Sequence, residues 1–197
     1  MKNITYKDTY KGIPIYNSPE GSSLEILGKT KKLLDTTMRR HNKVNVARCD
    51  LSYPASLYAP DNNEDMSKTI EYLKLIFKRQ KCKLYYIWVR ELSSTGKQHY
   101  HLMLLMNGNK IQNPYGVLQK VNEIWGNRVY TGPAPGLVHF CQPRNERPGN
   151  YGITIRRESY DCNQKYRECF LAASYLAKVY SKGEAPKRVR EYGMSRL

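Results

Sequence analysis

Residues 84–106 read LYYIWVRELSSTGKQHYHLMLLM, and this stretch decides the fold. Two runs rich in aromatic, β-branched and aliphatic residues, Leu84 to Leu92 and His99 to Met106, flank a polar turn, Ser93 to Gln98, that contains Gly96. That pattern predicts two strands of an antiparallel hairpin. Moving outward, Val44 to Tyr53 reads as a further strand ended by Pro54. Leu137 to Cys141 and Ile153 to Arg156 read as short ones. Apolar residues recur at helical spacing in four segments. The first, Ser23 to about His41, carries Leu24, Leu27, Leu34 and Met38. The second, Asp65 to Gln80, carries Ile70, Leu73, Ile76 and Phe77. The third is opened by Asn113-Pro114 and runs to about Trp125, and the fourth runs from Asp161, as N-cap, to Ser181. Strands and helices mix without strict alternation. The expectation is therefore an α+β domain built on a central, mostly antiparallel sheet with flanking helices. The core domain would span 23–181, between a loosely packed N-terminal extension, 1–22, and a basic, coil-like tail, 182–197.

The 197 residues carry 33 Lys and Arg against 17 Asp and Glu, a net charge of +16. A surplus of that size points to a polyanionic partner, nucleic acid first. Some of the 17 tyrosines could stack on unpaired bases, although strand and core filling accounts for most of them. The tail contributes Lys182, Lys187, Arg188, Arg190 and Arg196 against Glu184 and Glu191, and could follow a phosphate backbone or simply be solvated. The longest aliphatic run, Leu102 to Met106, is too short to span a bilayer, so no membrane association is expected. Five scattered cysteines without a CxxC pair suggest free thiols in a reduced, cytoplasmic setting.

Within the hairpin, His99 and His101 are two residues apart on a strand, which turns both imidazoles to one face with Cα atoms roughly 7 Å apart. Glu91 joins them if the hairpin sets it opposite either His99 or His101; a slip of one residue would send it to the other face. Two imidazoles and a carboxylate suit Mg²⁺, Mn²⁺ or another divalent ion. The plain alternative is a polar strand end. The apolar LMLLM that follows and the spacing of Glu91 argue against it.

On the last predicted helix, Tyr166, Phe170, Ala173, Ala177 and Tyr180 form one apolar stripe assigned to the core. Tyr175 lies about 180° from Tyr166 at 100° per residue, and Lys178 shares its side. A phenol with a pKa near 10 is a weak nucleophile at neutral pH, and a neighbouring ammonium can stabilise its anion. Tyr175 is thus the candidate nucleophile and Lys178 its electrostatic helper, although an exposed tyrosine beside a solvated lysine would look the same. Ser23-x-x-x-x-Gly28-Lys29-Thr30 comes close to a phosphate-binding loop but lacks the first glycine and a preceding strand, and is read as helix. His139 is expected as a packed strand residue in preference to a fourth metal ligand, and His41 as a helix-end residue. Asp50 could face the site or bond locally, and the local option is preferred.

Taken jointly, Arg48-Cys49-Asp50-Leu51, Trp88-Val89-Arg90-Glu91, His99-Tyr100-His101-Leu102, Gly136 to Phe140, Ser174-Tyr175-Leu176-Ala177-Lys178 and Tyr192 to Arg196 give the chain a family likeness. It resembles the HUH endonucleases, specifically the single-tyrosine rolling-circle replication initiators of the inovirus, or YagK/YfjJ, type found in phages and prophages. The resemblance runs over roughly 24–197. It departs from the common pattern in Tyr100 between the histidines and in the Cys-Asp-Leu-Ser first motif. It implies a five-stranded antiparallel sheet, with Mg²⁺ or Mn²⁺ held by His99, His101 and Glu91. It also implies attack by Tyr175 on single-stranded or origin DNA, leaving a 5′-phosphotyrosine and a 3′-OH for a host polymerase, with a host helicase as a further partner. Two rivals stay open. One is a non-catalytic nucleic-acid-binding phage or prophage regulator on a degenerate HUH fold; the other is a metal-dependent hydrolase that uses water.

Overall fold

The computed structural model describes residues 3–16, 18–57, 59–92, 96–129, 132, 136–180, 182 and 185–197. Its elements in chain order are β1 (Ile4–Thr5), β2 (Thr9–Tyr10), β3 (Ile13–Pro14), β4 (Ser22–Ser23), α1 (Leu24–Arg40), β5 (Lys43–Ser52), α2 (Glu64–Arg79), β6 (Tyr85–Leu92), β7 (Gln98–Asn107), α3 (Pro114–Arg128), β8 (Val138–Cys141), β9 (Gly152–Arg156), α4 (Cys162–Ser174), a 3₁₀ turn (Tyr175–Ala177) and β10 (Tyr192–Met194).

β7 is the centre of the main sheet. It pairs with β6 on one side and β5 on the other, and the order across the sheet is β10-β6-β7-β5-β8, with β9 pairing the first half of β5. Every pairing is antiparallel. The expected α+β class with an antiparallel sheet and flanking helices therefore holds. Among the described residues the sheet has six strands, one more than the resemblance implies.

The sheet is buried on both sides, so its central strand reads as an unbroken apolar run and not as an alternation. One face presents Cys49, Leu51, Trp88, Tyr100, Leu102 and Leu104 to Leu73 and Phe77 of α2 and to Leu118 and Trp125 of α3. The other presents Val44, Val46, Ile87, Val89, Met103 and Leu105 to Leu27 and Leu34 of α1 and to Phe170 and Ala173 of α4. Ser23 caps α1 through its Oγ, which accepts from Ile26 N at 3.4 Å, and Asn113 Oδ1 accepts from Gly116 N at 3.2 Å to cap α3. Asp161 stands at the N-cap of α4, but its carboxylate accepts from Ser159 Oγ and makes no cap bond. Residues 24–30 of the near-phosphate-loop lie in α1. The turn predicted over 93–98 falls partly outside the described residues.

Three expectations need correcting. The tail is not coil-like throughout: Tyr192–Met194 forms an edge strand on β6, with Gly193 opposite Trp88. The described part of 1–22 is not loosely packed throughout either, since β1 pairs with β4 and Ile15 is buried in the α1/α4 core. The last helix stops at Ser174 instead of Ser181. Beyond it the chain turns to meet the N-terminal segment, with Lys178 bridged to Ser22 and Val179 N donating to Gly21 O at 3.0 Å. Competition from that pairing ends a helical pattern that the side chains alone would continue.

A Cβ added at Gly193 would lie 2.6 Å from the Trp88 ring, which is nearly buried. Gly193→Ala is expected to push the C-terminal strand off β6 and destabilise the protein by about 1–3 kcal/mol, the usual cost of overpacking. Urea unfolding checks this.

Candidate functional site

The β6–β7 register sets Glu91 directly opposite His99. Of the two pairings that the sequence permits, this one is realised. His101 lies two residues further along β7, opposite Asp50 of β5. Directly opposed residues share a face, as do i and i+2, so Glu91, His99, His101 and Asp50 all point toward α1 and α4. Glu91 Oε2 lies 3.2 Å from His101 Nε2 and 3.6 Å from His99 Nε2. One ligand atom from each of the three falls within 4.8 Å of the others, which among the described residues makes this the cluster able to hold a metal ion.

Glu91 is 1% exposed and His101 3%. A carboxylate that deeply buried is stable only with charged or hydrogen-bonding partners. Burial alone would raise the Glu91 carboxyl. Hydrogen bonds from His101 and His99, with the charges of His101 and Lys182, outweigh that and hold it well below the usual carboxylate range. Lys178 Nζ sits 3.2 Å from Glu91 Oε2, and Lys182 Nζ donates to Oε1. Burial pulls the Lys182 ammonium down to about 8 even with Glu91 beside it.

Asp50 is more than a local hydrogen-bonding group. Its Oδ1 lies 2.5 Å from His101 Nδ1, so the carboxylate accepts from that ring nitrogen and fixes the imidazole. Nε2 is then the atom left facing Glu91, whose Oε2 lies 3.2 Å away. Burial pushes the His101 imidazole down, but the two flanking carboxylates, Asp50 and Glu91, reverse this and raise it. A proton on Nε2 suits the facing carboxylate, and Glu91, His99 and His101 would suit a divalent cation equally well, since it brings charge of the same sign. The donor set fits a metal. Asp50→Ala is expected to weaken Mn²⁺ binding about 10–100-fold, the usual effect of losing the group that orients a ligating histidine; calorimetric titration reads it.

Tyr175 begins the 3₁₀ turn where α4 ends. Its ring meets that of His101 edge-on at 5.1 Å and that of Tyr16 at 5.0 Å. Lys178 Nζ donates to Tyr175 Oη at 2.8 Å and lies 4.2 Å from the ring centre, while the Arg48 guanidinium lies 4.7 Å from it. A continuous path therefore runs from the phenolic oxygen through Lys178 to Glu91. Burial would lower the Lys178 ammonium, but Tyr175 and Glu91 more than compensate, and it stays charged.

All five candidates, Glu91, His99, His101, Tyr175 and Lys178, meet at one place. Lys178 reaches it from just past the 3₁₀ turn and not from a continuous helix. Asp50, Lys182, Arg48 and Tyr16 complete the surroundings. The sequence raises Asp50 as a residue that could face the site but favours a local bond, names Arg48 only within the family motif, leaves Lys182 in the basic tail and does not single out Tyr16. The signal for Asp50 is a carboxylate within a strand, two residues from the Arg48 of the same motif. The competing tyrosines are placed elsewhere. Tyr166 Oη donates to Asp35 Oδ1 at 2.5 Å. Tyr180, expected on the buried stripe, is instead 55% exposed. His139, expected to be packed, is exposed on β8 opposite Asp50. His41 is the C-cap of α1. The five cysteines are free thiols. Among the described residues no helix is long and apolar enough to cross a membrane.

Comparison with known proteins extends the likeness over the whole fold. Residues 5–195 match the family described as the YagK/YfjJ C-terminal domain, a span that takes in both the N-terminal segment and β10. "Uncharacterized protein YagK" of Escherichia coli strain K12 is 28% identical over 208 aligned residues, covering 88% of this chain and 93% of the relative. "Uncharacterized protein YfjJ" of the same strain is 24% identical, covering 92% of this chain and 99% of the relative. With nearly every described element inside the matched span, the chain belongs to the YagK/YfjJ C-terminal domain family.

Proposed function

We propose that this protein is a metal-dependent DNA strand transferase that nicks and rejoins single-stranded origin DNA through Tyr175, in the manner of a replication initiator. The observation that carries this reading is the linkage of the Tyr175 hydroxyl, through Lys178, to the carboxylate of the Glu91, His99 and His101 cluster. A nucleophile and a cation site serve one phosphate only if they converge, and these two are one lysine apart.

His99, His101 and Glu91 would hold Mg²⁺ or Mn²⁺, which when bound would act as a Lewis acid toward a phosphate oxygen. Asp50 keeps His101 in the ligating orientation. The Lys178 ammonium stabilises the phenolate as the phenolic proton passes to solvent. The Tyr175 oxygen then forms a bond to phosphorus as the bond from phosphorus to the 3′ oxygen breaks. That oxygen takes a proton from water and departs as a 3′-OH, leaving a 5′-phosphotyrosine. Attack by a 3′-OH on the phosphotyrosine reverses the sequence and rejoins the strand. The surplus of basic residues would hold the backbone through salt-sensitive contacts.

One observation favours a second reading, a non-catalytic nucleic-acid-binding regulator: Lys178 and Lys182 both place positive charge against the Glu91 carboxylate. Incubation with a pool of single-stranded oligonucleotides separates the two. The strand-transferase reading expects a covalent protein–DNA species on a denaturing gel with Mn²⁺ and none with EDTA. Salt-sensitive binding with no covalent species under either condition would leave the regulator.

A further inference from the structure

A cavity of about 510 Å³ lies between α4 and the β5, β8 and β9 side of the sheet, and Tyr175 and Arg48 form part of its wall. It is a cleft partly open to solvent, and its size falls within the roughly 300–1,000 Å³ range of ligand sites. Val46, Met103 and Ile153 contribute apolar side chains to it. Two tyrosine rings flank these. Tyr16 meets Tyr175 edge-on, and Tyr151 is braced by stacking on Tyr115 at 5.5 Å and by the edge of Phe140 at 5.7 Å.

The polar groups in the wall are held in place. The Gln142 side-chain amide donates to the carbonyls of Glu146 and Arg147, and Asn145 Nδ2 donates to Glu168 Oε1 at 3.0 Å. The Arg48 guanidinium is anchored by Nη1 donating to Ala172 O at 3.2 Å. Its Nε is buried without a hydrogen-bond partner among the described residues. An apolar interior between flat aromatic walls, with fixed amides and a cation beside the nucleophile, matches a planar heterocycle attached to a phosphate.

We infer that this cavity receives one unpaired base of the single strand, next to the phosphate presented to Tyr175, and reads its identity. The inference rests on the strand-transferase reading for the direction of the strand. The cavity itself is built independently of the metal ligands. Arg48 links the two: it lines the cavity and also stacks over the Tyr175 ring, so it is suited to hold the phosphate that joins the inserted base to its neighbour.

The test measures binding of adenine, cytosine and thymine homo-oligonucleotides in EDTA, where no strand is cut. Ala172→Trp places an indole in the cavity from a partly exposed position on α4, and Tyr151→Ala removes one wall. The native chain is expected to prefer one base by about tenfold or more, within the range for one stacked base. Both variants should lose that preference while the slope of log affinity against log salt, which counts phosphate contacts, stays the same. Equal affinity of the native chain for all three bases would overturn the inference, as would an undiminished preference in both variants. Competition by free deoxynucleoside monophosphates as effective as by oligonucleotides would assign the cavity to a free nucleotide and also overturn it. Covalent adduct formation with Mn²⁺ is scored separately. A base preference that depends on the cavity without any adduct would sink the nucleophile assignment alone, and an adduct without that preference would sink the cavity alone.

Discussion

Tyr175→Phe is expected to reduce the covalent protein–DNA species by about a thousandfold or more, as loss of a nucleophile does, while DNA affinity stays within about twofold. The substitution removes only Oη. The ring that packs against His101 and Tyr16 remains, as does its contact with the Arg48 guanidinium. Lys178 loses a hydrogen bond but keeps Glu91, so the structural cost should be on the order of 1 kcal/mol. Denaturing gels read the adduct, and filter binding in EDTA reads the affinity. Persistence of the adduct would move the nucleophile to another tyrosine. Tyr166 is poorly suited to inherit the role. Burial, reinforced by its hydrogen bond to the Asp35 carboxylate, drives its hydroxyl far above the ordinary phenol range. A protein that binds as before yet forms no adduct would instead fit the assigned geometry.

The sequence and the structure agree where periodicity is short. His99 and His101 are placed on one face by the two-residue repeat of a strand, and Glu91 is within reach because a hairpin is a local structure with few registers. The helices over 24–40 and 64–79 follow from apolar spacing for the same reason. What was not legible depends on partners distant in the chain. Asp50 reaches His101 only because β5 lies against β7, a pairing across 51 residues that no local pattern encodes. Lys182 belongs to a stretch whose composition suggests a solvated tail, yet it turns inward to Glu91. The helix carrying Tyr175 is cut short by hydrogen bonds to Gly21 and Ser22, and these place Lys178 on the site from extended backbone. Tyr180 shows the cost of extending a helical pattern past that break: its spacing fits the buried stripe, but its side chain lies in solvent.

Glu91→Gln is expected to be the most destabilising single change at the site, and its effect should reverse the usual benefit of removing a buried charge. The carboxylate is the shared partner of Lys178, Lys182, His99 and His101. A neutral amide of the same shape leaves the Lys182 ammonium, whose side chain is 2% exposed, without its counter-charge. Breaking a buried pair from one side costs about 3–5 kcal/mol, well above the value of a surface ion pair. Thermal unfolding in EDTA should show this directly. The same variant separates the metal reading from a purely structural one. If Glu91, His99 and His101 hold Mn²⁺, a saturating concentration, roughly a hundred times the dissociation constant, should stabilise the native chain by about 2.7 kcal/mol through mass action. Glu91→Gln should lose most of that increment in addition to its lower starting stability. A native chain that gains nothing from Mn²⁺ would mean that the two lysines are the permanent partners of Glu91, and the cluster would then be a buried ionic network that positions Tyr175 without a cation.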